Sequence, residues 1–197
     1  MRMMRSFIAI ELNEEVRQAI HSTITRYQEL VPAGCVKWLA TKNLHLTLKF
    51  LGDTPVDLIP SIQAKLDELT GSKPGFQFTA AAAGMFPSAR KPRVIWIGLD
   101  TKTELAGLSK GLDDALEPLK IKREERPFSP HLTIGRVYQG VAEEQLIKLG
   151  EAVLRNQPGA IGKVLVDHIS LIKSDLFPDG PVYTVLHRSL FDHATSG

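Results

Sequence analysis

Two short stretches carry the residue types that could do chemistry. His45-Leu-Thr47-Leu48 and His131-Leu-Thr133-Ile134 are near-copies whose histidines stand 86 residues apart. In an extended strand residues i and i+2 share a face. His45 and Thr47 therefore lie together, opposite Leu44, Leu46, Leu48 and Phe50; His131 and Thr133 likewise lie opposite Leu132 and Ile134. Each strand would bury its apolar row and present an imidazole beside a hydroxyl. A pair of such faces suits phosphoryl chemistry in which one oxygen attacks phosphorus and another leaves. Imidazole, with an ordinary pKa of about 6.5, can take the nucleophile's proton or supply one to the leaving group. Threonine hydroxyls can donate to the non-bridging oxygens as charge builds there. No step in this scheme requires a metal.

Other chemistries lack their residues. Catalytic zinc takes three protein ligands, and neither histidine has a second ligand-type residue at i+2 or belongs to a His-Glu-x-x-His run. With one cysteine, Cys35, the chain has neither an internal disulfide nor a cysteine zinc cage. Gly-x-Ser-x-Gly occurs only as Gly107-Leu-Ser109-Lys-Gly111, inside the helical pattern at 102–119 rather than on a strained strand-to-helix turn, and Gly-x-x-x-x-Gly-Lys-Ser/Thr is absent, so neither a serine elbow nor a P-loop is indicated. No metal and no cofactor are expected. His21, His168, His187 and His193 have no duplicated counterparts and read as structural or exposed residues.

The elements that must position the two motifs are duplicated with them. Phe7–Leu12 and Val94–Leu99 are β-prone apolar runs 87 residues apart. Each is followed by an amphipathic helical pattern. Val16, Ile20, Ile24 and Tyr27 mark the first, with Asn13 as N-cap; Leu105, Leu108, Leu112 and Leu116 mark the second, which extends over 102–119. After each His-Leu-Thr strand comes another helix, at 57–69 and 142–154. Strands then follow at 76–85 and 163–173, and a closing strand at 182–190 follows the turn Phe177-Pro-Asp-Gly-Pro181. Loops fall at 71–75, 87–92 and 156–162, the second holding Arg90 and Lys91, with Arg93 just after it. Trp38 and Trp96 read as core or wall residues.

One shared tetrapeptide is compatible with coincidence; a shared order of elements is not. The reading is an α+β protein of two similar lobes related by a pseudo-twofold axis. Each lobe is a mainly antiparallel sheet with helices on its outer face, and the active-site cleft lies between them. The whole chain, 1–197, forms one bilobal domain duplicated at about 7–93 and 94–191, with exchange of strands between lobes allowed for.

Composition sets the outer bounds. Among 197 residues, 43% are apolar and 23% charged, which excludes disordered, collagenous and coiled-coil chains. A net charge of +2 is too small for a general nucleic-acid coat. The cations are instead local. Lys120, Lys122, Arg123, Arg126 and Arg136 face only Glu124 and Glu125 in their segment, and Arg90, Lys91 and Arg93 make a second knot. The apolar run at the N-terminus stops at Glu11, without a secretory h-region, and no stretch approaches the roughly 18 apolar residues of a membrane span. The expectation is a cytoplasmic protein with no membrane partner.

At these residues the sequence resembles the two-histidine phosphoesterase superfamily, and within it the bacterial and archaeal RNA 2′,3′-cyclic phosphodiesterases, also called 2′-5′ RNA ligase-like proteins. Phe7-Ile-Ala-Ile, Val36-Lys-Trp-Leu, His45-Leu-Thr-Leu-Lys-Phe-Leu-Gly52 and Pro92-Arg-Val-Ile-Trp-Ile-Gly98 carry the likeness. So do Arg126-Pro-Phe-Ser-Pro-His-Leu-Thr-Ile-Gly-Arg136 and Leu171-Ile-Lys-Ser-Asp175. The resemblance implies a metal-independent, cofactor-free enzyme that opens a terminal ribose 2′,3′-cyclic phosphate to a 2′-phosphomonoester. Its partners would be RNA or oligonucleotide ends, and it would act as a monomer, because both motifs sit in one chain. It further implies His45 as general acid on O3′, His131 as general base on water, and Thr47, Thr133 and Arg136 as phosphate ligands. The symmetry of the motifs does not itself choose acid from base. Strict alternation sends Arg136 to the face opposite His131, so its role requires the strand to end or bulge near Gly135. Its counterpart in the first half is Phe50. Arg126, Phe7 and Phe50 are further candidates for RNA contact, with core packing as the competing role for both phenylalanines. Alternatives are ATP-independent 2′-5′ joining of RNA ends, opening of a small cyclic nucleotide or an ADP-ribose cyclic phosphate, and non-catalytic binding of RNA ends.

Overall fold

The computed structural model describes residues 2–100, 102–125, 127–178 and 180–192. Arg126 and His193 lie outside the described residues. Nine strands and four helices are present among them: β1 (Met3–Glu11), α1 (Glu14–Leu30), β2 (Val36–Trp38), β3 (His45–Pro55), α2 (Ile59–Thr70), β4 (Phe76–Phe86), β5 (Val94–Leu99), α3 (Lys102–Leu116), β6 (His131–Val137), α4 (Glu143–Arg155), β7 (Ala160–Val166), β8 (His168–Phe177) and β9 (Gly180–Leu190).

The helices form where periodicity and capping direct. Asn13 caps α1, its side-chain oxygen accepting from Val16 N at 2.9 Å, and Glu14 and Glu15 favour the positive end of the dipole. Val16, Ile20, Ile24 and Tyr27 line the buried stripe of α1, and Leu105, Leu108, Leu112 and Leu116 that of α3. Removing one such leucine typically costs about 2–5 kcal/mol. No helix among the described residues is long and apolar enough to cross a membrane.

The strands form two sheets, in the orders β3-β1-β8-β9 and β2-β6-β5-β4-β7, with every strand pair antiparallel. The four-strand sheet and the last four strands of the other correspond position by position, β3 to β6 and β1 to β5. Between them the halves trade strands. β4, from the first half, pairs with β5, whereas β8, from the second, pairs with β1. Helices cross as well: α1 and α4 cover the five-strand sheet, α2 and α3 the four-strand one.

Three expectations change here. The run 163–173 is two strands in different sheets, divided at Asp167; its apolar residues continue on both sides, so hydropathy gives no sign of the switch. The loop at 156–162 yields its last residues to β7, and β2 is an additional short strand. Pro87–Arg93 does connect β4 and β5 without regular structure.

A polar clamp fixes the four-strand sheet at the end where β3 begins. Glu11, paired in register with His45, accepts from Arg188 Nε on β9 at 2.8 Å and from Ser170 Oγ on β8 at 2.6 Å, with His168 Nε2 at 3.2 Å. His168 also meets Asp167, and His187 meets Asp67, so both have structural partners; His21 is exposed on α1. The Arg188 contact, set against partial burial, brings the Glu11 carboxyl down from 4.5 to about 2. A depressed carboxyl stabilises the fold fully above its unfolded pKa and loses that contribution as the pH falls through the folded value. Glu11→Gln is therefore expected to cost about 2 kcal/mol at pH 7, allowing for screening of a partly exposed group. Urea unfolding of both proteins across pH 2–7 should show the gap closing below about pH 4.

Candidate active site

Both histidines open their strands, and both are tethered alike. His45 Nδ1 lies 2.8 Å from the carbonyl oxygen of Asn43, and His131 Nδ1 lies 2.7 Å from that of Ser129. A carbonyl can only accept, so each Nδ1 carries the proton and each Nε2 is left to exchange one. The repeat thus preserves a tautomer as well as a residue type.

The tethers are themselves held. Arg17 on α1 donates to the carbonyls of Leu12, Thr41 and Leu44, at 2.9–3.3 Å, which binds the one-turn 3-10 helix Thr41–Asn43 to the helical layer. Asn43 Nδ2 reaches Pro181 O on β9 at 3.3 Å. On the other side, Lys49 is buried, ion-pairs with Asp113 of α3 and donates to Lys122 O at 2.8 Å. It thereby anchors the segment leading into β6 to the strand that carries His45.

Bulges settle which side chains share the histidines' faces. Residues paired across adjacent strands point to the same side. On β3, Glu11 pairs with His45, Ala9 with Thr47 and Phe7 with Phe50, which leaves Leu48 as the extra residue. On β6, Gly98 pairs with His131, Trp96 with Thr133 and Val94 with Arg136, which leaves Ile134 extra. These are equivalent positions of the two motifs. A bulge reverses the alternation beyond it, so Arg136 does turn to the His131 face. Phe50 is a correction: it joins His45 and Thr47 rather than the leucine row, and it is 67% exposed instead of packed in the core. Lys49 takes the place toward the helices.

Aromatic rings wall each imidazole. Phe7, buried, stacks on His45 at 4.7 Å between centroids, above the short side chain of Ala9, and Tyr183 meets both rings edge-on at 5.2 Å. With Ala9 and Ile172 these residues form a small apolar cluster on the helix-free side of the sheet, separate from the main core. His131 has Phe86 at 5.0 Å and Trp96 at 6.5 Å. Gly84 makes room for that wall, because a Cβ there would fall 2.3 Å from the Trp96 ring. Trp38 packs on Tyr27 in the helical layer.

β3 and β6 approach each other with Cα atoms within 8 Å. Arg136, on one sheet, acts electrostatically on the Tyr183 hydroxyl of the other, as does Arg5. Burial nevertheless holds that phenol above its ordinary range. Burial also depresses the His45 pKa; the Asn43 carbonyl opposes the shift and the Arg17 charge adds to it, so the buried site favours the neutral imidazole. Thr47 and Thr133 are half-buried, and neither hydroxyl has a hydrogen-bond partner among the described residues. Those residues hold no group of three or more His, Cys, Asp or Glu side chains placed to ligate a metal ion.

Sequence reasoning missed Tyr183, Arg5 and the two carbonyl tethers. Tyr183 and Arg5 have no counterparts in the repeat, and the carbonyls belong to residues whose side chains do not matter for the contact.

Comparison with known proteins agrees with this duplicated geometry. The family described as LigT like Phosphoesterase matches twice in tandem, at residues 10–96 and 97–183. A protein of Methanothermobacter thermautotrophicus, named RNA 2′,3′-cyclic phosphodiesterase, is 35% identical over 184 residues, which covers 91% of this chain and 95% of the relative. One of Thermotoga maritima with the same name is 35% identical over 191 residues, 96% of each chain. Among solved structures, that of a Thermus thermophilus protein superposes with a TM-score of 0.80 at 29% identity, covering 97% of this chain and all of the other. With both halves matched and relatives at this identity across nearly the full length, the chain belongs to the LigT-like phosphoesterase family.

Proposed function

We propose that this protein is an RNA 2′,3′-cyclic phosphodiesterase that opens a terminal cyclic phosphate with water and leaves a 2′-phosphomonoester. The observation that carries this reading is the duplicated tether: two imidazoles, each with Nδ1–H on the carbonyl two residues earlier and Nε2 left over. A reaction with one proton to remove and one to deliver needs two such nitrogens and no third group. The activity named for the Methanothermobacter and Thermotoga relatives supports the choice of substrate.

In the proposed cycle His131 Nε2 takes a proton from water as its oxygen bonds to phosphorus. The P–O3′ bond breaks, and His45 Nε2 delivers its proton to O3′. Thr47, Thr133 and Arg136 hold the non-bridging oxygens, where charge concentrates in the transition state. Phe7 and Tyr183 keep His45 out of bulk water, which strengthens its interaction with an anion. Because burial favours neutral His45, the bound phosphodiester anion is what raises its proton affinity and makes it an acid. Protons are conserved over the cycle, since a water molecule exchanges them between the two imidazoles.

His45→Ala and His131→Ala are each expected to lower kcat on a cyclic-ended oligonucleotide by about 10²–10⁴-fold, with turnover by the unmodified protein surviving EDTA. Product analysis should find a free 3′-hydroxyl; a 3′-phosphate would overturn the assigned leaving group. The pH dependence separates free and bound states. The alkaline limb of kcat should lie at higher pH than that of kcat/KM, because the ligand's negative charge lifts the acid's pKa. Coincident limbs would remove His45 from the acid role.

A further inference from the structure

The five-strand sheet has one strand without a counterpart in the other lobe. β2 adds to the outer edge of β6, and its register sets Lys37 directly across from Arg136. Cross-strand partners share a face, so Lys37 stands beside Arg136 on the side that carries His131 and Thr133. Two cations placed directly opposite each other repel. Both are exposed, and neither has a carboxylate partner among the described residues.

This edge is firmly built. Leu39 N donates to Ile134 O and Tyr138 N to Cys35 O, both at 2.9 Å. On the far side of the sheet Gly135 admits Val36 and Trp38 so closely that a Cβ would fall 2.8 Å from Val36 Cγ1. Lys37 is thus displayed from a fixed backbone, one strand further from His131 than Arg136.

We infer that Lys37 and Arg136 form a two-phosphate ladder, in which Arg136 holds the reacting cyclic phosphate and Lys37 takes the next phosphate toward the 5′ end of an RNA strand. The ladder rests on the activity proposed above and narrows its substrate class. A mononucleoside 2′,3′-cyclic phosphate has no second phosphate for Lys37, so the preferred substrate is an oligonucleotide end. The repulsion between the two cations is then relieved only when both rungs are filled.

The test compares Lys37→Met and Lys37→Arg with the unmodified protein on adenosine 2′,3′-cyclic phosphate and on a short cyclic-ended oligonucleotide. Lys37→Met should lower kcat/KM on the oligonucleotide about five- to tenfold more than on the mononucleoside. It should also flatten the slope of log(kcat/KM) against log salt by about 0.7, the value for one phosphate contact on a single strand. Lys37→Arg should restore both. Equal losses on the two substrates, or none on either, would overturn the ladder. Fluorescence anisotropy of a labelled oligonucleotide ending in a 2′-phosphate separates this claim from the proposed activity. If the unmodified protein turned over neither substrate, the activity would fall, and weaker, less salt-dependent binding by Lys37→Met would still support the ladder. Unchanged binding would sink it.

Discussion

Everything at the centre of this protein depends on a hydrogen bond made twice. An imidazole can hold its proton on either nitrogen, and a site that needs Nε2 for chemistry must fix the proton on Nδ1. Here the backbone does so, through the carbonyl two residues before each histidine. A main-chain acceptor cannot be removed by substituting its own side chain, and it cannot donate in return. Arg17 fastens the carbonyls on either side of Asn43, and the buried Lys49 ties α3 and the Lys122 backbone to the strand that carries His45.

The second constraint is register. Each motif strand carries an extra residue, Leu48 or Ile134, at the equivalent position. That insertion turns the following side chains over and gives the ligand face a third group, Phe50 on one sheet and Arg136 on the other. The lobes are therefore alike in backbone and unlike in chemistry. Beside their aromatic walls, one offers an exposed ring, the other a cation with Lys37 alongside. A substrate with an apolar base and an anionic backbone has reason to prefer one orientation in such a cleft.

Much of this was legible in the chain before any coordinates. A repeated His-x-Thr at nearly the same offset as the strands before it, with helices of matching period around both copies, predicts two lobes and names the two imidazoles. The placement of Arg136 on the His131 face was legible conditionally, because a glycine beside it permits the bulge that placement requires. Phe50 was not, since alternation is all that sequence offers and a single inserted residue inverts it. Nor was the division of 163–173 between two sheets. Both of its strands are apolar, and the choice of sheet is made by partners far away in the chain. Lys37 and Tyr183 show the same limit from the functional side: each gains its meaning from a neighbour on another strand.

The exchange of strands also bears on how the protein is made. β1 emerges well before its inner neighbour β8, which begins only at His168, and before β9, which runs to Leu190. The four-strand sheet must therefore wait for β8 and β9 to leave the ribosome, with the β8-facing edge of β1 open in the meantime. Contacts of such long sequence separation form slowly, and an uncovered edge invites pairing with other chains. The nascent protein is thus most exposed to aggregation in the interval before its last strands arrive.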